Sequence, residues 1–191
     1  MTFSAVLLAG GESRRMGRDK AALELEGRPL WKRQLELLRG LGPERLFVSA
    51  RTRPEWLPDK VELLLDDPPS RGPLSGLTKA LTAMRTTHLI ALAVDMPFIN
   101  GKQLRELRSI VTDRCGVVPI VRGQAEPLVA IYPAEAASDF AEALSGSDFS
   151  LQRIVRQLME TGKIRSIPIA EASAPLYRSV NAPGDLSEFD A

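Results

Sequence analysis

The chain is short of the residues on which many sites are built. Among its 191 residues there is one cysteine, Cys115, so no disulfide closes within the chain, which fits a reducing compartment. Cys115 reads as a small buried or half-buried side chain. There is one histidine, His88, which removes metal sites made of several histidines and argues against a Ser-His-Asp triad. Its place at the head of an apolar run marks it as the start of a strand rather than an acid-base group. Neither sign of charge prevails: 25 lysines and arginines face 24 aspartates and glutamates, for a net charge of +1. That balance argues against a general polyanion binder, nucleic acid included, while leaving room for a local basic site. No apolar run nears the roughly 20 residues that cross a bilayer. Phe3 to Leu8 is too short for a secretion signal and has no basic residue before it. The expectation is a cytoplasmic protein with no membrane partner. Internal repeats and low-complexity segments are absent too.

What is present is length enough for one large domain, residues 1–191, that buries a core without disulfides or metals. Its densest chemistry lies near the start. The apolar run Phe3 to Leu8, which reads as a short buried strand, stops at Gly10-Gly11 and is followed by Arg14, Arg15, Arg18 and Lys20. Paired glycines let several backbone N–H groups converge on one anion, and guanidinium forks and an ammonium suit phosphate oxygens. A cation about 4 Å from such an oxygen gains roughly 4 kcal/mol at an effective dielectric near 20, before desolvation and ordering are subtracted. Two or three contacts of that size hold a triphosphate. A solvated arginine-rich turn is the plainer reading, but strand, glycine pair and four cations coincide here. The loop is neither of the two better-known phosphate loops. Gly17 is followed by Arg18-Asp19 where a P-loop needs Lys and Ser or Thr, and Gly10 and Gly11 are adjacent where the dinucleotide fingerprint needs a spacer.

Further along, Leu30, Gln34, Leu37, Leu38 and Leu41 follow helical spacing, with Pro29 in the first turn and Gly40 and Gly42 as stops. Arg45 to Ala50 reads as a strand beside the first. Pro54 and Pro58 flank a loop around Trp56, taken as a packing anchor. Val61 to Leu65 is a third apolar run and ends in Asp66-Asp67. At the end of a strand such carboxylates bind a metal, accept from sugar hydroxyls or base N–H groups, or begin a turn. Gly72-Pro73 opens a helix whose face carries Leu74, Leu77, Leu81 and Met84, and its free N–H groups suit an anion or a base. Leu89 to Val94 is wholly apolar, as in a central parallel strand covered on both faces. It leads to Asp95, where ligands of such sheets sit. Asp95 as a simple turn cap is the competing reading. Asn100 caps a helix through Leu104, Leu107 and Val111. Val117 to Val121 and Leu128 to Tyr132 extend the sheet, partly antiparallel. Pro133 starts a helix with Phe140 and Leu144, Ser150 caps another ending at Gly162, and Ile164 to Ile169 is the last strand. The fold expected is α/β, a mostly parallel, doubly wound, Rossmann-like sheet with the site along its C-terminal strand ends.

The string Leu8 to Lys20, LAGGESRRMGRDK, closely resembles the signature loop of the molybdenum cofactor guanylyltransferase family of nucleotidyltransferases. Three other pieces match family motifs: GPLSG at 72–76, DMPF at 95–98 and VNAP at 180–183. The resemblance implies the nucleotide-diphospho-sugar transferase type of fold, with GTP held by Leu8, Ala9, Gly10 and Gly11 and its phosphates reached by Lys20. It implies Asp95 as the ligand of Mg²⁺, and Arg15 or Arg14 beside Lys20 as stabilisers of the departing β,γ-phosphates. Asp67, rather than Asp66, matches an aspartate that helps hold the nucleotide, and 72–76 lies near base and ribose. Ser49 stands where the family has an asparagine near the guanine. Glu126, in a polar-proline step, and Asn181 face the acceptor, which the resemblance makes the molybdopterin cofactor. It also implies contact with cofactor-insertion proteins and target molybdoenzymes. Within the same chemistry the rivals are a cytidylyltransferase on the same cofactor, which usually reads LAAG, and a sugar-phosphate nucleotidylyltransferase. A non-catalytic nucleotide-binding regulator is the rival from another class, and retention of both Lys20 and Asp95 speaks against it.

Overall fold

The computed structural model describes residues 1–10, 20–180 and 185 of the chain. Strand β1 (Phe3–Leu8) is followed by a short ribbon, β2 (Glu24–Leu25) with β3 (Arg28–Pro29), and by helix α1 (Leu30–Arg39). Then come β4 (Arg45–Ala50), β5 (Glu62–Leu65), α2 (Pro73–Ala83), β6 (His88–Ala93) and α3 (Gly101–Ile110). The last part holds β7 (Gly116–Val121), β8 (Gln124–Ala125), β9 (Val129–Pro133), α4 (Ala137–Ser145), α5 (Leu151–Glu160) and β10 (Ile164–Pro168).

The strands form one sheet in the order β10-β7-β9-β6-β1-β4-β5, with β8 paired on β7. β1 lies parallel to both β4 and β6, and β5 parallel to β4, whereas β9 runs antiparallel to β6 and β7. All six residues of β1 are buried, as a strand covered on both faces requires. Alternation divides them between two layers. Phe3, Ala5 and Leu7 join Leu30, Leu35 and Leu38 of α1 and Leu104 and Leu107 of α3. Val6 and Leu8 join Leu74, Leu77 and Leu81 of α2, with Phe140 of α4 and Ile154 and Leu158 of α5. At roughly 1.5–3 kcal/mol for each large apolar side chain removed from water, these two clusters carry the fold.

Local signals behave as their chemistry dictates. The Asn100 side chain accepts from the Lys102 N–H at 2.9 Å at the head of α3, and Ser150 from the Arg153 N–H at 3.5 Å at the head of α5. Trp56 stacks on Trp31 with ring centroids 5.1 Å apart, anchoring its loop against α1. Two boundaries differ from the expected ones. Pro29 is the extended residue before α1, with ψ 139°, because it also closes the β2–β3 ribbon, an element that periodicity does not reveal. Pro133 ends β9, and a short 3₁₀ turn, Ala134–Ala136, intervenes before α4.

Candidate active site

A cleft of about 500 Å³, part of it open to solvent, lies along one edge of the sheet. Its lining comes from the C-terminal ends of parallel strands: Leu8, Ala9 and Gly10 after β1, Ser49 in β4, Asp66 after β5, and Ala93, Val94 and Asp95 from β6. Gly72 and Pro73 at the head of α2, Leu128 before β9, and Lys20 complete it. The chain leaves β1 toward β4 on one side while β6 lies on the other, so the cleft sits where strand order reverses, the usual ligand crevice of open α/β sheets.

The loop after β1 is held from both sides. Ala9 N–H donates to the Ser49 carbonyl at 2.8 Å and Val94 N–H to the Leu8 carbonyl at 3.1 Å. Beyond that bond the backbone turns, Met96 N–H folding back onto the Ala93 carbonyl at 3.3 Å, so Asp95 stands in a turn at the cleft and not within the strand. Lys20 Nζ lies 3.7 Å from Asp95 Oδ2, with the two side chains 17% and 26% exposed. Burial pushes the Asp95 carboxyl above the usual carboxylate range, and the nearby Lys20 ammonium opposes that shift. A half-buried carboxylate with the Lys20 ammonium at its edge is prepared to take up more positive charge. Among the described residues no three His, Cys, Asp or Glu side chains cluster as a metal cage. Asp95 offers a hard oxygen donor at the cleft, which fits a cation that completes its shell with phosphate and water oxygens.

On the other side of the cleft the carboxylate is Asp66. Its N–H donates to the Ala50 carbonyl at 3.0 Å, so the β4–β5 ladder runs one residue past Leu65 and alternation turns the Asp66 side chain toward α2. There it accepts from the Ser49 hydroxyl at 3.3 Å and from the Ser70 hydroxyl at 2.6 Å. Ser70 Oγ in turn accepts from the Gly72 N–H at 3.1 Å, and Ser75 Oγ from the Arg71 N–H at 2.8 Å. Gly72 has φ 64° and ψ −140°, a conformation essentially reserved for glycine, and it swings the chain into α2.

Of the residues expected at the site, Leu8, Ala9, Gly10, Lys20, Ser49 and Asp95 line this one cleft. Asp67 does not. Its carboxylate points outward and pairs with Lys79 at 2.8 Å, so the aspartate that reaches the cleft is its neighbour Asp66. Glu126 sits in the turn between β8 and β9, two residues from the lining residue Leu128, and burial raises its carboxyl above the usual range. Beside it, Tyr177 is pushed up to about 12 by burial and by the Glu106 and Glu126 carboxylates. Gly11, Arg14, Arg15 and Asn181 lie outside the described residues. The chain does return to the site just before Asn181, where Val180 N–H donates to the Asp95 carbonyl at 2.7 Å. Sequence reasoning missed Ser70, whose one signal was its place two residues before the helix-opening glycine.

The chain has relatives among known proteins in both sequence and fold. The family model for the MobA-like NTP transferase domain matches residues 5–162. The probable molybdenum cofactor guanylyltransferase of Opitutus terrae is 36% identical over 186 residues, spanning 96% of this chain and 92% of that protein. The molybdenum cofactor guanylyltransferase of Pseudomonas fluorescens is 34% identical over 164 residues, 83% of this chain and 82% of its own. Among solved structures, molybdopterin-guanine dinucleotide biosynthesis protein A from Archaeoglobus fulgidus has the same fold, with a TM-score of 0.70 over 98% of this chain and 96% of that one at 23% identity.

Proposed function

We propose that this chain, which belongs to the MobA-like NTP transferase family, transfers GMP from GTP to the terminal phosphate of the molybdenum-bearing molybdopterin cofactor. A phosphate oxygen of the acceptor attacks the α-phosphorus of GTP, the bond from that phosphorus to the β-phosphate breaks, and pyrophosphate leaves. The products are the guanine dinucleotide form of the cofactor and pyrophosphate. The observation that carries the reading is the Lys20–Asp95 pair at 3.7 Å inside the cleft at the strand-order reversal.

In this reading residues 1–191 act as one transferase domain. Backbone groups of Leu8, Ala9 and Gly10 cradle the nucleotide, with Gly11 assigned to the nucleotide and Arg15 to the departing β,γ-phosphates. The Lys20 ammonium donates to the phosphate oxygens and follows the charge that gathers on pyrophosphate as it departs, a form of electrostatic stabilisation that needs no covalent intermediate. Asp95 is the residue to hold Mg²⁺, which when bound supplies positive charge to the phosphate oxygens. Asp66, in place of Asp67, accepts hydrogen bonds from the guanosine. Ser49 steadies it and, being shorter than the asparagine of the family pattern, leaves more of the base reading to that carboxylate. Glu126 and Asn181 belong to the acceptor side. No helix among the described residues is long and apolar enough to cross a membrane, and we place the reaction in the cytoplasm, where cofactor-insertion proteins and molybdoenzymes take the product.

The test is isothermal titration of the protein with GTP, CTP, ATP and UTP in the presence of Mg²⁺. Selective binding of GTP supports the reading. Preference for CTP or UTP moves the protein to the cytidylyl or sugar-phosphate branch, and binding of none sinks the nucleotide site.

A further inference from the structure

Three consecutive backbone carbonyls around the metal-side carboxylate are each claimed by a different donor. The Asp95 carbonyl accepts from the Val180 N–H at 2.7 Å, the Met96 carbonyl from Gln34 Nε2 at 2.6 Å, and the Pro97 carbonyl from Arg33 Nε at 3.1 Å. Met96 also accepts from the Ile99 N–H at 3.3 Å. Arg33 and Gln34 are neighbours in α1, and Arg33 is itself braced by Glu26 at 3.0 Å.

Gln34 is the unusual member. It is wholly buried, on the same face of α1 as Leu30 and Leu38, where the helix packs on the sheet. A buried amide is unfavourable unless all its polar atoms are bonded. Here Nε2 goes to Met96, and Oε1 has no hydrogen-bond partner among the described residues. Methionine is unbranched, has nearly the same length, and adapts to irregular core sites. It would fill the site without an orphaned oxygen. Packing therefore does not account for the amide. What the amide does is grip the backbone one residue after Asp95.

We infer that Gln34, seconded by Arg33, is a positioning residue that fixes the Asp95–Pro97 turn and so holds the Asp95 carboxylate in its place opposite Lys20. The kinetic side of this inference rests on the transferase reading; the structural side does not. Geometry at a transfer centre is unforgiving: a misplacement of about 1 Å costs on the order of a hundredfold in rate. A turn anchored to a packed helix is more sharply placed than a free loop.

The test is Gln34→Met, studied by amide hydrogen exchange and by steady-state GMP transfer. Exchange at the Val180 and Ile99 amides is expected to quicken about tenfold while the rest of the sheet stays as in the wild type. The kcat for transfer is expected to fall about tenfold or more, with KM for GTP within about twofold and the melting temperature not lowered. Unchanged exchange at Val180 and Ile99 would overturn the inference. So would faster exchange throughout the sheet with a matching loss of thermal stability, which is the mark of simple packing damage. Should Gln34→Met not fold, Arg33→Met, which releases the Pro97 carbonyl from a less buried position, carries the same two measurements, with exchange again read at the Val180 and Ile99 amides. A wild-type protein that transfers no GMP is a failure of the transferase reading, and the exchange measurement alone still decides whether Gln34 holds the turn.

Discussion

Gly76 in α2 lies so close to Ser49 in β4 that a β-carbon added to it would stand 2.3 Å from the Ser49 hydroxyl oxygen and 2.9 Å from a Leu8 methyl. The second glycine of the 72–76 segment is therefore a spacing device, letting the helix head press on two strands at the cleft. Gly76→Ala forces α2 outward or Ser49 out of its rotamer. Overpacking of this kind costs about 1–3 kcal/mol, to be read in urea denaturation. GTP affinity should fall with it, and Ser49→Ala in the same chain should recover part of both losses.

Ser70 and Ser49 together hold Asp66, and the shorter contact is that from Ser70, at 2.6 Å against 3.3 Å. A hydrogen bond to a charged group contributes about 1.5–3 kcal/mol, so Ser70→Ala is expected to weaken GTP binding by about tenfold without changing kcat. Asp66→Asn should weaken it further, and the double variant no more than Asp66→Asn alone, because the two side chains act as one unit. Calorimetric titration of the four proteins decides the matter; additive losses would mean that Ser70 acts on its own.

The two members of the Lys20–Asp95 pair should fail differently from the Asp66 group. Asp95→Ala is expected to abolish GMP transfer while leaving the circular dichroism spectrum and the melting curve near those of the wild type. Lys20→Ala should lower the rate by about 10²–10³, the scale of losing one preorganised electrostatic contact. Pyrophosphate release is the assay, and a normal rate from purified Asp95→Ala would remove that residue from the chemistry.

His88 makes stability depend on pH. It is fully buried at the start of β6, where Nδ1 lies 2.9 Å from the Thr87 hydroxyl, and burial holds the imidazole below its usual pKa against the opposing pull of the Glu135 carboxylate. The unfolded chain, with an ordinary imidazole near 6.5, then binds the proton more readily than the folded one. Stability is accordingly full above about pH 6.5 and declines as the pH falls below it. Denaturation midpoints at pH 7.5 and 5.5 should show the decline, and His88→Phe, which keeps an aromatic ring beside Phe3, should flatten it.

Much of this architecture was legible before any coordinates, because the signals are local. The mainly apolar run 3–8 and the wholly apolar run 89–94 read as strands covered on both faces, and the helix caps at Asn100 and Ser150 follow from side-chain chemistry within three residues. The resemblance to nucleotidyltransferases likewise rests on short contiguous strings, and it brought Leu8, Ala9, Gly10, Lys20 and Asp95 to notice, all of which line one cleft. The choice between Asp66 and Asp67 was not legible. Both end the same apolar run, and only the ladder bond from Asp66 N–H to the Ala50 carbonyl turns one inward while the other meets Lys79.

Sequence by itself determined the order of the long strands and helices, their buried faces and the loops rich in phosphate-binding groups, since each is written in periodicities and neighbours of a few residues. Tertiary structure alone decided what those faces meet. Helical spacing placed Gln34 on the buried side of α1 but said nothing of the Met96 carbonyl 62 residues away, and the same holds for Ser49 against Gly76 and for Val180 against Asp95. Such pairings depend on how strands stack in space, and that is set by the sum of many burial energies rather than by any one stretch of chain.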